Sequence, residues 1–178
     1  GLEADLEGVV DLVGLKAYYN EGIKGETLRE AEIPADMLDE VQDARANLLD
    51  KVSMFSDEIM ELMLEEKEVP EDLLIKTIRE ATIARKLTAV FMGSAYKNRG
   101  VQKLLDAVSL YLPSPKDVPY QGFDLDNNQV ELFPDPKLPF VGLAFKISDD
   151  RFGQLTYTRI YQGTLKKGST YYNPRMDK

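Results

Sequence analysis

Six of the nine prolines fall between residues 113 and 139, and this cluster constrains the chain more than any other feature. Proline locks φ and removes a backbone donor, so a core helix or central strand cannot run through such a stretch. With Gly122, Asn127 and Asn128 the segment reads as a linker. The hydrophobic period differs on its two sides. Before it, apolar residues recur every three or four positions; after it they alternate. The chain is therefore expected to hold at least two modules of different class.

Charge divides the same way. Residues 1–86 carry 22 acidic against 10 basic side chains, and residues 87–178 carry 9 against 12. An acidic half repels phosphate backbones and attracts basic partners. Cysteine and histidine are both absent, which excludes disulfides, thiolate chemistry, imidazole acid–base catalysis and ordinary zinc sites. No apolar run approaches the length of a membrane span. The first residue is Gly1 rather than Met, which reads as processing or an excised piece.

The opening stretch has three short apolar runs, Val9–Val13, Ala17–Tyr19 and Thr27–Ile33. Asn20-Glu21-Gly22 and Lys24-Gly25 read as turns between them, giving a small antiparallel sheet. Met37, Val41, Ala44, Leu48, Val52 and Phe55 then form the stripe of an amphipathic helix. Ser56 caps a short second helix with Ile59, Met60 and Met63, whose methionines read as core filler. A third helix starts at Pro70 and carries Leu74, Ile78 and Ala81. Thr88–Met92 is apolar without alternation and reads as a strand covered on both faces. The helix after it places Val101, Leu104, Leu105, Val108 and Leu112 on one side. Beyond the linker, Val141, Leu143, Phe145 and Ile147 alternate with Gly142, Ala144 and Lys146. Asp149-Asp150 reads as a turn, Leu155–Tyr161 as a second strand and Ser169–Tyr172 as a third. This is the start of a barrel rather than a closed one.

Motifs for catalysis are scarce. GxxxxGK[ST], the dinucleotide fingerprint, HExxH and the EF-hand loop are all missing. The carboxylates read mainly as solvated helix faces. The informative segment is FMGSAYKNRGVQ, a strand, a glycine loop and a helix. Ligands of open α/β sheets sit outside the carboxyl ends of strands. Gly93 allows close backbone approach, Ser94 offers a hydroxyl and an amide, and Ala95 leaves its amide unshielded. Lys97 has a stem that can lie along a ring. These groups suit a nucleobase rather than phosphates. An ordinary β–α turn uses the same residue types, and the residues alone leave both readings open.

GSAYKNRGVQKLLDAVSLYLPSP closely resembles the guanine-specificity loop and following helix of the translational GTPases, nearest to their elongation-factor-G branch of ribosomal translocases. GVVDLV with EIPADM resembles the insertion in that family's G domain. PFVGLAFKISDDRFGQLTYTRIYQGTLKKGSTYYN resembles the start of its second domain, and RFGQLTY and LEEKEVPEDL lie nearer the mitochondrial-type branch.

The resemblance implies a multi-domain α/β and β fold. Residues 1–86 would be an α+β insertion subdomain, and 87–115 the last strand and helix of a P-loop GTPase domain. Residues 116–138 would be a linker, and 139–178 an incomplete antiparallel β-barrel. It implies that Gly93, Ser94, Ala95 and Lys97 lie on the guanine side of a GTP/GDP site, with magnesium in the whole factor. The family's phosphate loop, switches and NKxD motif have no counterpart in this sequence, so the piece alone is expected to be inactive. The implied parent couples GTP hydrolysis to tRNA–mRNA movement on the ribosome, in the bacterial cytoplasm or mitochondrial matrix. The implied partners are the ribosomal stalk protein through the acidic half and ribosomal RNA through the second domain, with no membrane or DNA partner. Asp39, Glu40, Asp43, Glu65 and Glu66 are the candidate stalk contacts. A ribosomal-protection or release-factor GTPase, and a stand-alone acidic interaction module, are the alternatives.

Overall fold

A computed structural model describes residues 5–151 and 153–176. The chain divides between Leu112 and Pro113 into two compact units. The first begins with an antiparallel sheet of β1 (Gly8–Asp11), β2 (Lys16–Glu21) and β3 (Thr27–Ala31), in the order β1-β2-β3. Asp11 turns the chain after β1: its carboxylate accepts from the amides of Val13 at 2.9 Å and Gly14 at 3.3 Å. Registers such as Val10↔Ala17 and Tyr19↔Arg29 fix the three strands. Asn20 and Glu21, expected in a turn, belong to β2 and pair with β3.

Three helices follow, α1 (Leu38–Ser53), α2 (Asp57–Leu64) and α3 (Glu71–Ile83). The expected α1 stripe faces inward, with Val41 and Val52 buried. Ser56 caps α2 by accepting from the amide of Ile59 at 3.3 Å. Leu74, Thr77, Ile78 and Ala81 are the buried side of α3. Val52, Ile59, Val69, Leu74 and Ile78 form one apolar core with Ala107 and Tyr111 of α4 (Val101–Tyr111). Val52, Ile59 and Leu74 are fully enclosed, and each contributes about 1.5–3 kcal/mol of burial. Arg79 of α3 donates to the carbonyls of Leu110 at 2.8 Å and Leu112 at 2.9 Å, closing the C-terminal end of α4.

The segment after α3 and the helix α4 both leave apolar side chains exposed. Thr88–Met92, expected as a strand, forms none here, and none of the described strands pairs with it. Leu87 and Ala89 pack on the core, whereas Val90 and Met92 are 83% and 82% exposed. In α4 the leucine-rich side is not the buried one. Ala107 and Tyr111, four apart, face α3, while Leu104, Leu105, Val108 and Leu112 stay exposed. The Tyr111 ring stacks against Phe91, with ring centroids 6.2 Å apart.

The second unit corrects the linker assignment. Residues 116–138 contain a hairpin of β4 (Tyr120–Phe123) and β5 (Gln129–Leu132). The carboxylate of Asp124 accepts from the amides of Asp126 and Asn128, so the DLDNN sequence makes a turn rather than free coil. A second pair joins β6 (Val141–Asp150) and β7 (Gly153–Gln162). β6 runs through Asp149 and Asp150, which were expected to turn. Its register slips between Ala144 and Lys146, leaving Phe145 as the extra residue of a bulge. The bulge breaks the strict alternation expected from 141 to 147. Ser169–Tyr172 forms no strand. Instead the Tyr171 hydroxyl accepts from the amide of Lys166 at 2.5 Å, and its ring lies 4.7 Å from that of Phe140. Among the described residues none after Tyr111 is buried.

Candidate functional site

The Gly93–Gly100 loop closes on itself. Ser94 and Arg99 exchange backbone hydrogen bonds, Ser94 N donating to Arg99 O at 2.8 Å and Arg99 N to Ser94 O at 2.9 Å. The amide of Asn98 donates to Ala95 O at 3.2 Å, and the amide of Lys97 to Ser94 Oγ at 3.3 Å. A Cβ on Gly93 would lie 2.5 Å from Arg99 O, so only glycine lets the two strands of the loop meet. The close approach that Gly93 permits is thus between two parts of the loop.

The amide of Ser94 is spent on Arg99 and its hydroxyl holds Lys97, so Ser94 shapes the loop. Ala95 stands at the exposed tip, and its amide has no hydrogen-bond partner among the described residues. Tyr96 is 98% exposed beside it, and Lys97 is half-buried. Tyr96, Lys97, Asn98 and Arg99 form one wall of an open groove of about 640 Å³. Asn20 and the Gly22–Gly25 turn form the other. A free backbone donor at a tip next to a flat ring and a lysine stem can meet the acceptor edge of a planar ligand.

Behind the tip the loop is tied to the sheet by residues that sequence reasoning passed over. Asn20, Asn98 and Gln102 all send a side-chain amide to the carbonyl of Gly25, at 3.2, 3.1 and 3.1 Å. The guanidinium of Arg99 donates to the carbonyl of Leu6. Lower on α4, Lys103 pairs with Asp11 at 3.1 Å and lies 4.2 Å over the ring of Tyr18. Burial opposes the charge on Lys103, but the hydrogen bond and charge of Asp11, with Tyr18, outweigh it and raise its pKa. Arg45 of α1 donates to the carbonyls of Leu12 at 2.5 Å and Val13 at 3.2 Å. Burial pushes its pKa down against the raising effects of Asp11, Glu68 and Glu71.

The five candidate partner residues are all exposed. Asp39, Glu40 and Asp43 lie near the start of α1, whereas Glu65 and Glu66 lie just past α2. Glu65 pairs with Lys67 at 2.8 Å. Among the described residues no His, Cys, Asp or Glu cluster is placed to hold a metal ion, and no helix is long and apolar enough to cross a membrane.

Known proteins place the chain in a family. No family model matches it. Elongation factor G 1 of Desulfotalea psychrophila is 55% identical over 178 residues, covering 98% of this chain and 26% of that protein. Elongation factor G of Rhodopirellula baltica is 53% identical over 180 residues, covering all of this chain and 26% of that protein. A crystal structure of a protein from Thermus thermophilus matches 91% of this chain and 22% of its own, with a TM-score of 0.64 and 29% identity. Identity above half, sustained along the chain, leaves one conclusion: this chain belongs to the elongation factor G family and spans about 26% of the length of the curated relatives it matches.

Proposed function

We propose that this chain supplies the base-facing loop of a guanine-nucleotide site and a ribosome-docking surface to an elongation factor. That factor would couple GTP hydrolysis to movement of transfer RNA and messenger RNA on the ribosome. The observation that carries this reading is the Ala95 amide, which has no partner among the described residues and stands at the exposed tip of the loop next to Tyr96 and Lys97. A guanine 6-oxo group is an acceptor of the right kind, with Lys97 set to lie along the ring. The GTP phosphates and magnesium fit nothing here. The sequence has no GxxxxGK[ST], so residues outside it would hold them. The names of the relatives favour elongation over the ribosomal-protection or release-factor alternatives.

The exposed apolar groups around Thr88–Met92 and along α4 support reading 87–115 as the end of a GTPase domain. Val90, Met92, Leu105 and Leu112 would be covered by a sheet outside this chain, and 88–92 would become its strand. Residues 1–86 would be the insertion subdomain and 139–178 the beginning of a barrel that contacts ribosomal RNA. The acidic surface around Asp39, Glu40, Asp43, Glu65 and Glu66 would receive a basic face of the stalk protein. The bacterial relatives favour a cytoplasmic setting over the mitochondrial matrix.

The test is Ala95→Leu in the complete factor, which sets a bulky side chain beside the amide. GDP affinity is expected to fall about tenfold or more, the scale of one lost hydrogen bond with steric exclusion. Unchanged affinity refutes the base-facing role. Reversing the five acidic residues to Lys is expected to abolish stalk-protein binding, and intact binding would place that surface elsewhere.

A further inference from the structure

The side chain of Asn20 is one of few buried polar groups in the first unit, at 7% exposure. It reaches across 80 residues to accept from the amide of Gly100 at 3.0 Å, where the loop ends and α4 begins. Its Nδ2 donates to Gly25 O at 3.2 Å and to Gln102 Oε1 at 2.9 Å. Gln102 returns a bond to Gly25 O at 3.1 Å, and Asn98 adds bonds to Lys24 O at 3.0 Å and Gly25 O at 3.1 Å. The orientation of the Asn20 amide follows from chemistry alone: a backbone N–H faces its oxygen and a backbone carbonyl faces its nitrogen. An aspartate could not donate here, and an alanine would leave the buried Gly100 amide unsatisfied.

These bonds have a common consequence. The loop's own bridge between Ser94 and Arg99 fixes its shape but not its place. Its place is set by the sheet, through Asn20 at the Gly100 end and through Asn98 and Gln102 on the Gly25 turn. We infer that Asn20 is a positioning residue for the base-facing loop, holding the Ala95 amide at a fixed point relative to β2 through Gly100, Gly25 and Gln102. The inference rests on the guanine-side reading of that loop. It adds that the sheet of the first unit sets how well the 6-oxo group is read, although no residue of the sheet need touch the base.

The experiment uses the complete factor and two probes, GDP and the 2-aminopurine riboside diphosphate, which lacks the 6-oxo group. Asn20→Ala is expected to weaken GDP about tenfold, the scale of one lost hydrogen bond, and to leave the analogue's affinity unchanged. Asn98→Gly is the second variant should Asn20→Ala fold poorly. Asn98 has a φ of +51°, which glycine adopts freely, so this change removes the amide and keeps the turn. It is expected to show the same selective loss in smaller measure. Equal weakening of both probes by both variants would mean a general lesion and would overturn the positioning role. No loss with either variant, while Ala95→Leu still weakens GDP, would overturn it and leave the base-facing reading standing. No loss with any of the three would remove the base-facing reading and the positioning role together.

Discussion

The loop's dependence on close backbone contact gives a graded prediction. A methyl group on Gly93 would lie 2.5 Å from Arg99 O and 3.4 Å from the Cα of Gly100. Ser94 N holds Arg99 O at 2.8 Å, so Arg99 O can retreat only if that bridge opens. Gly93→Ala therefore has two outlets. Strained packing costs about 1–3 kcal/mol. Opening the Ser94–Arg99 bridge instead forfeits two backbone hydrogen bonds, about 1 kcal/mol each. The cheaper route caps the loss at about 2 kcal/mol. Gly100→Ala meets Met92 O at 2.7 Å and also sits at φ +75°, which adds about 1 kcal/mol for a left-handed alanine, giving about 3 in all. Gly14→Ala is the control: its methyl would touch only the carboxylate end of Glu71, at 3.4 Å, so stability stays within about 0.5 kcal/mol. Among the described residues every α-helix lies before residue 113, so urea unfolding followed by helical circular dichroism reads this unit. Amide exchange at Arg99 reads the bridge itself. A Gly93→Ala variant as stable as the parent, with the Arg99 amide still protected, would refute the steric argument.

Three further outcomes are expected. Lys103 has a folded pKa raised above its ordinary 10.5, so its contribution is whole below that value and disappears as pH climbs through the folded pKa. Lys103→Met should flatten the fall in urea midpoint between about pH 9 and 12, and an unaltered alkaline profile would mean that the Asp11 pair contributes nothing. Trypsin should cut first after Lys116, in the exposed segment 113–119 that opens the second unit; a first cut inside α1 or α3 would contradict the division. Calorimetry of the 178-residue chain with millimolar GTP should show no heat of binding, because a single base-edge contact cannot offset the entropy of association. Micromolar affinity would mean that phosphate contacts exist without the usual motif.

The local order of the first unit can be read from residues that are near neighbours along the chain. Val41, Val52, Leu74 and Ile78 repeat at helical spacing, Ser56 stands where a cap is needed, and both properties depend on neighbours within a few residues. The glycine loop was legible for the same reason, since Gly93, Ser94 and Ala95 lie next to one another. Tertiary structure decided the rest. Which side of α4 is buried here follows the neighbours that are present: Ala107 and Tyr111 join the core with Leu74 and Ile78, whatever the count of leucines on the other side. Thr88–Met92 has the composition of a strand, yet a strand exists only where another chain segment supplies its hydrogen bonds. The hairpin at 120–132 formed because Asp124 satisfies the turn amides, overriding the prolines around it. The bonds of Ser94 to Arg99 and Lys97 give it a part in holding the loop that its place in the sequence did not reveal. Asn20 was invisible as anything but a turn residue: its partners at Gly100 and Gln102 lie 80 and 82 positions away, and no local pattern carries information over that distance.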